Sequence, residues 1–313
     1  MIYDLIIVGA GPAGMTAAIY AARRKINFII ISLDVGGQMS WSSDVENYPG
    51  TTSISGVELA NNFRKHLEVY GIKIKQEETV NISKKKDLCV VKTKRNTYES
   101  KAVLIASGKA PKKLGVPGEE ELLGKGVNYC AVCDAPLYGD KTVAVVGGGN
   151  SGMDAAIFLS KYAKKVYIFE TRSELTGESY LKEKITNDKK IEVITGVAIN
   201  EIKGKNFVSS LVYEKAGKTI EIKLDGIFVE IGLITKADFT NVQKNRWGDI
   251  MIFRSTRSNE ENMTSVSGIY AAGDVTDVTS KQIVVAAGEG CKAFLAASDY
   301  ISRWDGKHKE NKK

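Results

Sequence analysis

The segment DLIIVGAGPAGMTAAIYAARRK, Asp4 to Lys25, decides the fold. A short β-branched run ends in Gly9-x-Gly11-x-x-Gly14, and a helical pattern with small residues near its start follows directly. This is the context in which a glycine fingerprint has a mechanism. The first glycine makes the turn, the second lets backbone approach a pyrophosphate, and the third lets helix and strand pack, with the phosphate at the helix N-terminus. A second apolar run, INFIIIS (Ile26–Ser32), completes a βαβ unit.

The pattern recurs. TVAVVGGGNSGMDAAIFLSKYAKK, Thr142 to Lys165, carries Gly147-x-Gly149-x-x-Gly152, with Asn150 and Ser151 inside the turn, and runs into VYIFE. Two such loops in matching contexts predict two Rossmann-like, three-layer α/β nucleotide-binding domains in one chain. The Pro/Gly/Lys-rich run from Lys109 to Gly118 reads as a linker, and the pattern changes again after the apolar DGIFVEIGLI (Asp225–Ile234). The simplest partition is a discontinuous first domain, 1–113 with 241–313, and a second domain, 114–240, inserted into it. Two crossing segments at those boundaries would make a hinge.

What each loop binds depends on the end of the following strand. After the second loop that position is Glu170, 18 residues past Gly152. A carboxylate there can bind an adenosine ribose 2′-hydroxyl and repels a 2′-phosphate. After the first loop the position is Ser32, so that site must hold its nucleotide with other groups.

The bulk composition is that of an ordinary globule, with 43% hydrophobic and 26% charged residues in 313. A net charge of +7 is mild, and the tail GKHKENKK from Gly306, read as a solvated end, holds several of the lysines. No basic helix or aromatic-basic platform accompanies it, which argues against a nucleic-acid partner. No apolar run approaches the roughly 18 residues of a membrane span, and the N-terminus shows no signal-peptide pattern, so the expected location is cytoplasmic.

Four cysteines do not make a disulfide scaffold. Cys130 and Cys133, in NYCAVCDAPLYGD, have CxxC spacing. A zinc knuckle needs four ligands, yet Cys89 and Cys291 are isolated and the histidines are His66 and His308 only. An inert structural pair is unusual at this spacing in a reducing compartment. The functional reading is a reversible dithiol whose thiolate is the nucleophile. Such exchange needs a proton donor for the leaving thiolate, and Asp134 is the adjacent acid, given a pKa raised by burial. Cys89 and Cys291 read as core residues.

The motifs GAGPAG, GGQ (Gly36–Gln38), ENYPG (Glu46–Gly50), ASG (Ala106–Gly108), CAVCD, GGGNSG and AAGDV (Ala271–Val275) follow one another in an order that resembles the low-molecular-weight thioredoxin reductases, class II pyridine nucleotide-disulfide oxidoreductases. The C-terminal half is also similar to the flavoprotein subunit of alkyl hydroperoxide reductases, notably in DGIFVEIGLI and KQIVVAAGEG. The resemblance implies a flavoprotein in which the NAD(P) domain is inserted into the FAD domain. It places FAD on Gly9, Gly11, Pro12, Ala13 and Gly14, with Gly37, Gln38, Asn47 and Gly108 near the flavin or its chain. Gly273 and Asp274 fall at the ribityl-phosphate region, followed by Lys281, Gln282 and Ile283.

A nicotinamide nucleotide would sit on Gly147, Gly149, Asn150, Ser151 and Gly152, with Glu170 and Arg172 at its adenosine end. By the same resemblance Cys133 faces the flavin, Cys130 attacks the partner disulfide, Asp134 supplies the proton, the inserted domain rotates, and the protein is a homodimer. The chain departs from the family at one place. NADPH-dependent members carry His-Arg-Arg and a further Arg where this chain has Glu170-Thr171-Arg172 and Thr176, so NADH is expected over NADPH.

The expected partner is thioredoxin or a thioredoxin-like dithiol protein. Reduction of a peroxiredoxin or glutaredoxin-like carrier is the alternative enzyme. Alkyl hydroperoxide reductase flavoproteins usually carry a preceding thioredoxin-like region, whereas this sequence starts at the FAD strand. A non-catalytic flavin redox sensor is the reading from another class.

Overall fold

The structure is a computed structural model that describes residues 1–41, 45–235, 237–255 and 257–304; the basic tail from Gly306, with His308, lies outside the described residues. The chain divides into two compact units, Met1–Ala110 with Thr235–Lys313, and Pro111–Ile234.

In the first unit, β1 (Ile2–Val8) leads through the glycine loop into α1 (Pro12–Arg23), then β2 (Phe28–Ser32), α2 (Gly56–Val69), β3 (Ile74–Gln76), β4 (Thr79–Lys85), β5 (Leu88–Thr93), β6 (Thr97–Ile105) and β7 (Lys109–Pro111). Leu5 to Val8 are all buried, as expected for a parallel strand covered on both faces. Pro12 opens α1 at a position where its missing N–H costs nothing. Ser55 caps α2, its hydroxyl accepting the Glu58 N–H at 3.2 Å.

The chain then builds the second unit from β8 (Val127–Asn128), α3 (Ala131–Asp134), β9 (Thr142–Val146), α4 (Asn150–Ser160), β10 (Lys165–Glu170), α5 (Ser179–Asn187), β11 (Ile191–Thr195), β12 (Val197–Gly204), β13 (Val208–Lys215), β14 (Lys218–Lys223) and β15 (Gly226–Val229). It returns through β16 (Leu233–Thr235) to β17 (Ile269–Ala271) and the 20-residue α6 (Ile283–Ser302).

The first unit's sheet runs in the order β3-β2-β1-β6-β5-β4. Strand β6 is long enough to serve two partners along one edge. Its first half pairs antiparallel with β5, and Val103–Ile105 pair parallel with Ile269–Ala271 of β17. Helices α1 and α6 pack closely because Gly290 has no side chain: a Cβ there would stand 2.1 Å from Ala13 O. In the second unit the order β11-β10-β9-β15-β8 is parallel throughout, and β12–β14 form a separate antiparallel sheet. The two segments on which the chain crosses between units, β7 and β16, pair with each other. No helix of the described residues is long and apolar enough to cross a membrane.

Candidate active site

The two glycine loops have one design. At the first, a Cβ on Gly9 would sit 2.2 Å from Ala106 O and one on Gly14 1.9 Å from Gly9 O, whereas one on Gly11 meets nothing nearer than 4.0 Å. At the second, a Cβ on Gly147 would lie 2.2 Å from Glu230 O and one on Gly152 1.9 Å from Gly147 O, while Gly149 again has nothing nearer than 4.0 Å. The first and third glycines are therefore required by the chain's own packing. The middle ones face open space, the gap a diphosphate needs.

The structure brings most of the first unit's expected residues together. A Cβ on Gly37 would lie 3.6 Å from Gly11 Cα, one on Gly108 3.8 Å from Gln38 Nε2, and one on Gly273 3.1 Å from the Ala13 methyl. Gln38 Nε2 donates to Lys109 O at 3.5 Å, and Asn47 Nδ2 donates to Gln282 Oε1 at 3.2 Å, just before Ile283 opens α6. Lys281 Nζ donates to Thr276 O at 2.6 Å and to Asp274 O at 3.3 Å. Burial pushes the Asp274 carboxyl up and the Lys281 ammonium down, and both residues are half-buried. Ser107, which the motif reading did not single out, has a buried hydroxyl with no hydrogen-bond partner among the described residues, and its backbone N would be 2.9 Å from a Cβ on Gly9. An orphaned donor at the loop, the gap at Gly11 and the half-buried Asp274 fit a bound dinucleotide.

In the second unit a cleft of about 960 Å³ surrounds Gly147 to Ser151. Glu170 lines it, buried. Its Oε2 accepts the Gly148 N–H at 2.6 Å, and its Oε1 accepts the Arg172 N–H at 2.9 Å and the Thr171 hydroxyl at 3.1 Å. Burial alone would raise this carboxyl. The hydrogen bonds from Arg172, Gly148 and Thr171, with the Arg172 charge, hold it below the ordinary range, so it is a carboxylate. Arg172 also lines the cleft.

Asn150 is locked by Glu178, a residue the sequence reading missed. Glu178 N–H donates to Asn150 Oδ1 at 2.8 Å, and Asn150 Nδ2 donates to Glu178 Oε1 at 3.2 Å. Thr176 N–H donates to Gly148 O at 2.9 Å, which folds the segment after β10 over the loop. Gly177, which has no room for a Cβ, was the available signal: the methyl would fall 2.1 Å from Met153 Cε.

Cys130 and Cys133 are joined in a disulfide. Cys130 caps α3, its Sγ accepting the Cys133 N–H at 3.1 Å, and α3 leads at once into a 3₁₀ turn, Ala135–Tyr138. Tyr138 anchors that turn to the sheet. Its ring occupies the space left by Gly226, stands edge-on to Phe228 with centroids 5.3 Å apart, and its hydroxyl accepts from Asn128 Nδ2 at 2.8 Å. Burying a ring of this size is worth about 2–3 kcal/mol. Cys133 is exposed and Cys130 half-buried, with Asp134 ending the helix turn. Burial raises the Asp134 carboxyl above the ordinary carboxylate range. Cys89 is fully buried and burial pushes its thiol up to about 11, so it is no nucleophile; Cys291 lies apart on α6.

One chain thus carries a disulfide followed directly by an acid, together with two glycine loops of one design. Residues 3–290 match the pyridine nucleotide-disulphide oxidoreductase family, and the chain belongs to it. That membership implies FAD and a nicotinamide nucleotide. The chain is similar to the thioredoxin reductase of Lactococcus lactis, with 33% identity, a TM-score of 0.87 and coverage of 96% of this chain and 100% of that one. It is similar also to the thioredoxin reductase of T. acidophilum, with 39% identity, a TM-score of 0.84 and coverage of 96% and 99%. Among curated proteins, the F component of the alkyl hydroperoxide reductase of Staphylococcus epidermidis is 39% identical over 307 residues, 96% of this chain. The chain spans 59% of that relative's length.

Proposed function

We propose that the protein is a thioredoxin-disulfide reductase, with FAD on the discontinuous unit and a nicotinamide nucleotide on the inserted one. The Cys130–Cys133 disulfide, carried by the same unit as the nucleotide cleft and followed directly by Asp134, is the observation that carries the reading. FAD would be held by Gly9, Gly11, Pro12, Ala13 and Gly14, by Gly37, Gln38, Asn47 and Gly108, and by Gly273, Asp274, Lys281, Gln282 and Ile283. When bound it supplies the two-electron relay between the nucleotide and the disulfide. Gly147, Gly149, Asn150, Ser151 and Gly152 would cradle the nucleotide diphosphate, with Glu170 and Arg172 at the adenosine ribose.

Two electrons and two protons convert the disulfide to the dithiol. Cys130, as thiolate, attacks one sulfur of the partner's disulfide and forms a mixed disulfide, and Asp134 gives its proton to the departing partner thiolate. Cys133 then attacks Cys130 Sγ, closes the protein's disulfide and releases the partner as a dithiol. The ionised Glu170 supports NADH over NADPH, because a 2′-phosphate there would meet a carboxylate. A thioredoxin-like dithiol protein is the proposed partner, a homodimer the proposed assembly, the cytoplasm the proposed location, and the paired β7 and β16 the proposed hinge.

Likeness to an alkyl hydroperoxide reductase flavoprotein favours a second reading, in which the dithiol serves a peroxiredoxin or its carrier. The test is anaerobic stopped-flow reduction of the flavin-loaded protein by NADH and NADPH, followed by addition of oxidised thioredoxin or a glutaredoxin-like carrier. Rapid flavin bleaching by NADH and reoxidation by thioredoxin are expected. Bleaching by NADPH alone overturns the nucleotide assignment, and reoxidation by the other carrier alone overturns the partner.

A further inference from the structure

The parallel sheet of the second unit switches direction of growth between β9 and β15: β10 and β11 extend from one side of β9, β15 and β8 from the other. Ligands of open α/β sheets lie across the carboxyl ends of the strands at such a point. Glu170, at the end of β10, occupies the position that reads an adenosine ribose, and the glycine loop after β9 takes the diphosphate. The other half of a dinucleotide must then pass over the end of β15, where the first residue beyond the strand is Glu230.

Glu230 is fixed to the loop. Its N–H donates to Val146 O at 2.8 Å, and its carbonyl oxygen occupies the space a Cβ on Gly147 would need. It lines the cleft and is partly buried. Burial first, and then the Asp154 charge on α4, push its carboxyl up to about 8. Asp154 itself is raised by burial, with Lys184 of α5 and Glu178 acting on it in opposite senses. Lys112, Lys113 and Arg172 are the cationic residues of the cleft lining. Near neutral pH Glu230 is therefore a carboxylic acid, carrying a donor and an acceptor side by side. A primary carboxamide presents the complementary acceptor and donor.

We infer that Glu230 is a positioning residue for the nicotinamide ring, its carboxylic acid pairing with the ring's carboxamide. The inference rests on the reading of this cleft as a nicotinamide-nucleotide site. Ionisation removes the donor that the carboxamide oxygen would accept, so NADH affinity falls as pH rises through the Glu230 pKa.

The test is calorimetric binding of NADH and of ADP-ribose, which lacks the carboxamide, to flavin-loaded wild-type, Glu230→Gln and Glu230→Leu proteins across pH 6 to 9.5. For the wild type, NADH affinity should hold to about pH 8 and then fall, while ADP-ribose shows no such step at Glu230's titration. Glu230→Gln keeps a donor and an acceptor and should bind NADH nearly as well, with a flatter profile. Glu230→Leu should weaken NADH about tenfold and leave ADP-ribose unchanged. Equal weakening of both ligands by Glu230→Leu, or of neither, overturns the inference alone. Failure of the wild type to bind either ligand overturns the nucleotide reading and Glu230's role together.

Discussion

Glu170 Oε2 accepts the Gly148 N–H at 2.6 Å, and Ser32 Oγ accepts the Ala10 N–H at 3.1 Å in the matching place of the first unit. The residue at the end of each second strand thus holds the turn that precedes the helix. In the second unit a carboxylate does this and keeps one acceptor site, on Oε2, that a ribose hydroxyl could use. In the first unit only the supporting role survives, which is why a hydroxyl suffices and why the missing acid leaves the loop intact.

Replacing Glu170 therefore has two separable effects. Glu170→Gln keeps an acceptor for Gly148 but removes the charge, and should bring NADPH affinity up by about tenfold relative to NADH. Glu170→Ala removes the acceptor as well and should lower thermal stability, since it strands a buried N–H at a cost of about 1–3 kcal/mol. Nucleotide titrations and melting curves of the two variants check this. Equal NADH/NADPH ratios in wild type and Glu170→Gln would show that the carboxylate does not discriminate.

The glycine loops predict a dissociation of folding from binding. Gly149→Ala meets no atom of the protein nearer than 4.0 Å, so it should melt like the wild type while losing most of its nucleotide affinity. Gly147→Ala and Gly152→Ala, whose methyls would fall 2.2 and 1.9 Å from backbone atoms, should melt several degrees lower or fail to accumulate. Gly11→Ala should fold and purify with little flavin. The readouts are melting temperature, nucleotide Kd and flavin content per chain.

At the dithiol, Cys130→Ser and Cys133→Ser should each abolish thioredoxin turnover and leave NADH binding within a factor of about two, since neither sulfur holds the nucleotide. Asp134→Asn should keep the disulfide and slow exchange by roughly 10²–10³-fold, the usual worth of a general acid. Because burial raises the Asp134 carboxyl, the exchange rate of the wild type should fall as pH rises through that raised value, and Asp134→Asn should lack the fall. A pH profile unchanged by the substitution would remove Asp134 from the chemistry.

Glu230 gives a stability prediction of definite sign. Its carboxyl is raised from 4.5 to about 8, so between those values the folded chain binds more protons than the unfolded one. Stability must then decrease as pH rises through that window. The melting temperature of the wild type should drop by a few degrees more than that of Glu230→Gln between pH 5 and 8. Parallel curves for the two proteins would show that Glu230 titrates normally.

Both glycine loops, the Cys130–Cys133 pair and the carboxylate at the end of β10 were legible in the sequence, because each depends on local spacing: three glycines, two cysteines, an acid at a strand end. The antiparallel sheet β12–β14 was not. Its strand β14 is mostly exposed, so it offers little hydrophobic alternation, and its hairpin turns on Ala216 and Gly217, both at positive φ, in a lysine-rich stretch that reads as loop. Ser107, Glu178 and Glu230 were also hidden. The partners of Glu178 and Glu230 lie far off in the chain, Ser107 has none among the described residues, and only folding brings Glu230 to the back of Gly147 or Glu178 to Asn150.

Because β7 and β16 pair with each other, the chain leaves and re-enters the first unit on neighbouring strands, a separation of about 5 Å across a ladder. Lys109 Nζ and the Thr235 hydroxyl both bond to Asp249, the first at 3.0 Å, so both ends of the cut are fastened to the same carboxylate. The inserted unit is in this sense a cassette. A short glycine linker from Ala110 to Thr235 would close the remaining chain without stretching it, and a foreign nucleotide-binding domain whose termini emerge on adjacent strands could be spliced into the same gap, a route by which one flavin scaffold can be refitted to new electron donors.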